Sequence, residues 1–255
     1  MTRSNGVVLW EGGSPIDGGP LVAIATGLSR KSKNPKTGNM VQSWIMRSDL
    51  NPVAAIKTFK DVSGCGGCVH RLNPKTGKRS CYVKVEHATL SIYRAYRKGS
   101  YPLVDWDSWA VQAAGRYGRL GAYGDPACVP VGIWEKFVEP LAGHTGYTHQ
   151  ASNPKLREVL KFCQVSADSL QDAQAARAAG VGSFRVLAAD SPPRQPWEML
   201  CPASSEYGEE KTTCKDCLAC SGAGGAHVVI NDHSRGSHYR ETNRRPLQLP
   251  VVPHA

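Results

Sequence analysis

Two tight groups of cysteines constrain this 255-residue chain more than any other feature. The first is Cys65-x2-Cys68-x12-Cys81, and the second is Cys201-x12-Cys214-x2-Cys217-x2-Cys220. Two thiolates two residues apart can share one metal centre, and glycines such as Gly66 and Gly67 let the backbone turn tightly between them. No apolar run of signal type follows Met1, so the expected location is the cytoplasm. In a reducing compartment such cysteines serve metals rather than disulfides. The other two, Cys128 and Cys163, stand alone and read as ordinary buried residues.

Each group has its own chemistry. Cys65, Cys68 and Cys81 supply three thiolates. A zinc ion there needs a fourth ligand, for which His70 and His87 are the nearby choices. An iron–sulfur cluster held by three cysteines leaves one iron for a substrate or cofactor. Cys201, Cys214, Cys217 and Cys220 complete a four-thiolate site for zinc or for a four-iron cluster. The repeated x2 spacing of the second group is more usual for clusters, since structural zinc pairs two separate CxxC knuckles. A single site shared by both groups would have more ligands than one ion needs.

The intervening chain alternates strand and helix. Leu21–Thr26 and Val41–Met46 read as strands around the turn Asn34-Pro35-Lys36-Thr37-Gly38, giving a hairpin. The same five residues recur as Asn73–Gly77, between Cys68 and Cys81, and a reversal there returns Cys81 to Cys65 and Cys68. Apolar periodicity from Glu86 to Gly99 predicts a helix, and Asp105 or Asp107 caps a second one through Ala114. Strands are expected at 119–123, 146–149, 162–166, 183–187 and 227–231, with helices at 134–141, 156–160 and 168–179. The last of these starts at Asp168 or Ser169 and stops at Gly180. Such alternation predicts a parallel sheet with crossover helices. A full or partial (β/α) barrel is the expected fold, an open doubly wound sheet the alternative. The organisation read from it is a β-hairpin region over 1–60, a barrel-like domain with both cysteine groups over 61–235, and a basic tail over 236–255.

Active sites of these folds form at the C-terminal ends of the strands. Asp125, His149, Ser166 and Asp168 all fall there. Asp125 and His149 are the candidate catalytic residues. The plainer role for Asp125, in Gly124-Asp125-Pro126, is to cap the next helix. His144 reads as a loop residue. Ser166, Ser204 and Ser205 lack a nucleophile elbow, and the glycines at 222, 224 and 225 have no Walker lysine after them.

The stretches Gly64–Cys81, Arg119–Pro126, Thr145–Gln150, Ser166–Ser169, Gly182–Val186 and Cys201–Gly222 resemble a cysteine-rich family of phage- and plasmid-encoded proteins. The layout of early triad, partial barrel and late cysteine-rich segment is similar to that of radical S-adenosylmethionine enzymes. That resemblance implies a first cluster open to S-adenosylmethionine and a second, auxiliary cluster. The radical enzymes' triad is Cys-x3-Cys-x2-Cys, whereas here it is Cys-x2-Cys-x12-Cys.

The net charge of +10 makes nucleic acid a candidate partner, although solubility alone also accounts for it. The densest basic stretch is Arg235, His238, Arg240, Arg244 and Arg245. No apolar run approaches the ~20 residues of a membrane span, so no membrane partner is expected. Two functions are therefore in play. One is an iron–sulfur enzyme of radical type. The other is a zinc protein that binds nucleic acid in phage or plasmid replication or regulation.

Overall fold

The turn at Asn34–Gly38 forms as its residues dictate. Asn34 Oδ1 accepts the amides of Lys36 and Thr37, and Gly38 takes φ +70° while its amide bonds to the Asn34 carbonyl. The computed structural model describes residues 4–30, 34–188, 191–222 and 224–232. The basic tail and its candidate phosphate contacts lie outside them.

Three strands open the chain: β1 (Gly6–Gly13), β2 (Pro20–Thr26) and β3 (Met40–Arg47), paired antiparallel in sequence. The expected hairpin is β2–β3, in register from Leu21 opposite Arg47 to Thr26 opposite Gln42. Four helices follow: α1 (Pro52–Lys57), α2 (Val62–Cys65), α3 (Ala88–Arg97) and α4 (Trp106–Ala113). The stop at Gly99 has φ +68°, and Asp105, not Asp107, caps α4 by accepting the Ser108 amide at 2.7 Å.

The chain then alternates. In order come β4 (Tyr117–Tyr123), α5 (Val131–Val138), β5 (Gly143–Thr145) and β6 (Tyr147–Thr148). A 3-10 segment, Pro154–Lys161, takes the place of the helix expected over 156–160. After it come β7 (Gln164–Ala167), α6 (Leu170–Ala178), β8 (Ser183–Leu187) and β9 (Met199–Leu200). Last are α7 (Cys214–Cys217) and β10 (His227–Asn231).

The strands form two five-stranded sheets. The first, β1-β2-β3-β4-β5, is mixed: β3, β4 and β5 run parallel after the antiparallel start. The second, β6-β7-β8-β10-β9, is wholly parallel. Neither closes into a barrel among the described residues. Only Gly146 separates β5 in one sheet from β6 in the other. β3 of the N-terminal hairpin pairs directly with β4.

Each sheet is apolar on two faces, as parallel strands between layers must be. Trp109, Trp134, Phe137 and Val159, from α4, α5 and the 3-10 segment, pack over Leu21, Ala23, Ile45 and Leu120 on one face. Ile92 and Tyr93 of α3 cover Val22, Ile24, Trp44 and Met46 on the other. In the second sheet, Ala176 of α6 packs with Val165. Tyr147, Phe184, Val186, Val228 and Ile230 instead share a cluster with Cys201, Cys214 and Cys220. No helix among the described residues is long and apolar enough to cross a membrane.

Candidate metal centres at the rim and on the second sheet

Segments following four of the strands meet on one rim. The loop with Cys65, Cys68 and His70 comes after β3, Asp125 follows β4, His149 follows β6, and Asp168 follows β7. Ligands bind at such carboxyl ends in α/β folds.

The cysteine knuckle is fastened to that rim by backbone. The Gly64 carbonyl accepts the Asp125 amide at 2.7 Å, and Gln150 Nε2 donates to the Cys65 carbonyl at 3.4 Å. Gly66 sits at φ +55°, which favours glycine, and a Cβ there would displace the Gln150 side-chain amide, 2.4 Å away. Arg71 braces the knuckle, donating to Asp61 at 2.7 Å and to the Gly66 carbonyl at 3.3 Å.

The second Asn-Pro-Lys-Thr-Gly turn performs the reversal its sequence implies. Gly77 takes φ +66° and bonds to the Asn73 carbonyl, and Cys81 donates its amide to His70 at 3.0 Å. Cys81 thus returns to the knuckle. Burial raises the pKa of the Cys65 thiol well above its ordinary value, and negative charge at Cys68, Asp61 and Cys81 raises it further. Burial likewise raises Cys81, against the pull of Arg79.

Beside these thiols stand two imidazoles and a carboxylate. His70 Nε2 and His149 Nε2 each lie 3.5 Å from Asp168 Oδ1, and the two rings meet edge-on at 5.7 Å. His149 Nε2 is 3.9 Å from Cys68 Sγ. Burial opposes a charge on His149, but Cys68 and Asp168 outweigh it and raise its pKa well above the usual value. Asp168 shows the reverse balance: burial favours its neutral form, while His149 and His70 hold it far below the carboxylate range. These three side chains are 17–24% exposed, so solvent reaches them.

Asp125 stands behind the rim. Its Oδ1 accepts the Ala127 amide at 3.0 Å and the Thr148 hydroxyl at 2.7 Å, and its Oδ2 accepts the His149 amide at 2.8 Å. Gln150 Nε2 adds a longer contact at 3.4 Å. It caps the 3-10 turn Pro126–Cys128, the plainer of its two sequence readings, and it also positions His149. His144 lies on β5 against Phe162, where burial lowers its pKa, and His87 is exposed at the start of α3. His70 therefore joins the cluster and His87 does not. Asp168 entered the sequence reading as a rim residue and a candidate helix cap; its meeting with His70 has no sequence signal, since 98 positions separate them.

The second cysteine group gathers on the second sheet. Cys201 donates its amide to Val229 at 2.7 Å, and Cys214 donates to Lys36 at 2.8 Å. The Cys220 carbonyl accepts the Gly146 amide at 3.1 Å. Burial, then negative charge at the other three sulfurs, pushes Cys220 up to about 12, with the Tyr147 hydroxyl opposing. Burial also raises Cys201 and Cys214, the first opposed chiefly by Lys36 and the second by Arg119 and Lys36. Arg119 stands between the groups. It donates to the Tyr82 hydroxyl at 2.6 Å, next to Cys81, and Tyr82, Tyr147 and Cys214 favour its charged form against the cost of burial.

All nine cysteines are free thiols. His70, His149 and Asp168 place their ligand atoms within 4.8 Å of one another, and among the described residues no three of the seven grouped sulfurs do. Comparison with family models, with curated proteins and with solved structures returns no match to the chain.

Proposed function

We propose that the chain is an iron–sulfur enzyme working at the C-terminal rim of its parallel strands. In this reading Cys65, Cys68 and Cys81 hold a cluster with one iron open to a cofactor or substrate. Cys201, Cys214, Cys217 and Cys220 hold an auxiliary cluster, and β3 to β10, continuous through Gly146, act as a partial (β/α) barrel. S-adenosylmethionine is the cofactor that the family resemblance implies for the open iron.

The carrying observation is that each group gathers from distant chain segments: Cys81 returns to the Cys65–Cys68 knuckle through a bond to the His70 carbonyl, and Cys201, Cys214 and Cys220 share one cluster of side chains on the second sheet. Gathering buried thiols is unfavourable for as long as they must ionise beside one another, and a bound cationic centre removes that cost. At the rim, Asp125 holds the His149 backbone, and the His149 and Asp168 side chains stand beside Cys68. The rival zinc protein on nucleic acid rests on the net charge and the same cysteine knuckles, and its densest basic stretch lies outside the described residues.

Anaerobic purification tests the reading. The protein is expected to be brown, to absorb near ~400 nm and to carry iron and sulfide for two clusters. Cys81→Ser should lose the first cluster, and with it reductive cleavage of S-adenosylmethionine, while keeping most of its thermal stability. Colourless protein with stoichiometric zinc would sink the proposal.

A further inference from the structure

His70, His149 and Asp168 come from three separate segments: the reversal loop, the end of β6 and the end of β7. Their spacing is long for hydrogen bonding. Both imidazole nitrogens are 3.5 Å from the same carboxylate oxygen, beyond the 2.7–3.2 Å range of N–H···O bonds. It does suit ligands around a shared ion. Nitrogen and oxygen donors about 2.0–2.2 Å from a tetrahedral metal stand about 3.4 Å apart. His70 is also anchored as metal-binding histidines are: its Nδ1 lies 2.8 Å from Ser80 Oγ, leaving Nε2 to face the cluster. Asp125 fixes the backbone of His149.

From this geometry we infer a third metal site, distinct from the two cysteine centres, in which His70 Nε2, His149 Nε2 and Asp168 Oδ1 bind one divalent first-row transition ion. Two imidazoles and one carboxylate form a borderline donor set that suits Fe(II), Co(II) or Zn(II) better than Mg(II) or Ca(II). Three protein ligands leave coordination positions open, and the partial exposure of all three side chains lets water or a polar substrate group reach them. Cys68 Sγ, 3.9 Å from His149 Nε2, places this ion beside the first cysteine group. The site stands on its own geometry and does not require the cysteines to carry clusters.

The test is a Co(II) titration of the anaerobically purified, desalted protein, read by visible d–d absorption and by elemental analysis after gel filtration. One equivalent of Co(II) is expected in addition to the iron already present, with a spectrum of nitrogen and oxygen ligation. Asp168→Ala and His70→Ala should each weaken that binding by at least about a hundredfold, and Ser80→Ala by about tenfold, with iron and sulfide content unchanged. Circular dichroism checks the fold of each variant, and Ser80→Ala carries the test should the ligand variants unfold. Equal cobalt affinity in wild type and variants, no cobalt bound, or sulfur-to-cobalt charge-transfer absorption in its place would each overturn the inference. Cobalt bound at this site in a protein without iron or sulfide would sink the enzyme proposal and leave the site standing.

Discussion

Asp125 is a buried carboxylate that serves as an acceptor for its surroundings. Three short bonds, to the Ala127 amide, the Thr148 hydroxyl and the His149 amide, converge on two oxygens. Removing it would leave those buried donors unpaired, each costing about 1–3 kcal/mol. Partial relaxation toward water reduces the sum, so Asp125→Ala is expected to lose about 3 kcal/mol in denaturant unfolding. A loss below about 1 kcal/mol would show that the rim does not depend on this carboxylate. At the same scale, α6 shows why two neighbouring polar residues do different work. Ser169 caps the helix by accepting the Asp172 amide at 3.1 Å, which leaves the Asp168 carboxylate to face His70 and His149. Both residues are plausible caps in the sequence, and only the meeting with distant histidines separates them.

Among the elements, the β5–β6 junction is the critical one. Gly146 donates to the Cys220 carbonyl and accepts from the Gln164 amide, tying the second cysteine group and β7 to one point of backbone. A Cβ at this position would lie 2.6 Å from Cys163 Sγ and 3.1 Å from Leu120 Cβ and the Phe162 carbonyl. Backbone and core atoms cannot retreat as a flexible side chain would. Gly146→Ala is therefore expected to cost about 1–3 kcal/mol and lower Tm by several degrees, at about 2–4 °C per kcal/mol. An unchanged melting curve would mean the junction has slack. Periodicity and caps made most elements legible, including α3, α4, α6, β7, β8 and β10. It missed β1, β5 and β9, of which β5 and β9 are only three and two residues long and show little period to read. The 156–160 segment has helical spacing but tightens to 3-10 behind Asn153 and Pro154, which cap and start it.

At the scale of the molecule, the stretch from Cys201 to Cys220 is the part most dependent on something other than its own backbone. Its regular structure is a 3-10 segment, Ser205–Glu210, and the four-residue α7. Short elements of this kind do not hold themselves. Under the proposed function, a centre bound by the four thiolates fastens this stretch to the second sheet. Cys217→Ser is then expected to open residues 202–219 to limited proteolysis while the first sheet stays protected. Cleavage rates equal to wild type would show that the fold needs no bound centre there.

The sequence alone determined the local grammar. It spaced the cysteines, placed two identical turns, alternated strand and helix, and marked helix ends with Asp105, Ser169, Gly99 and Gly180. Each of these acts within a few residues, through φ, a cap or a side-chain period. Tertiary structure decided what meets across long stretches of chain: β3 beside β4, His70 beside Asp168, Asp125 beneath His149, and Lys36 bonded to Cys214. Those pairings follow from burying two faces of each sheet at once. That is a property of the packed molecule, and no short window of residues encodes it.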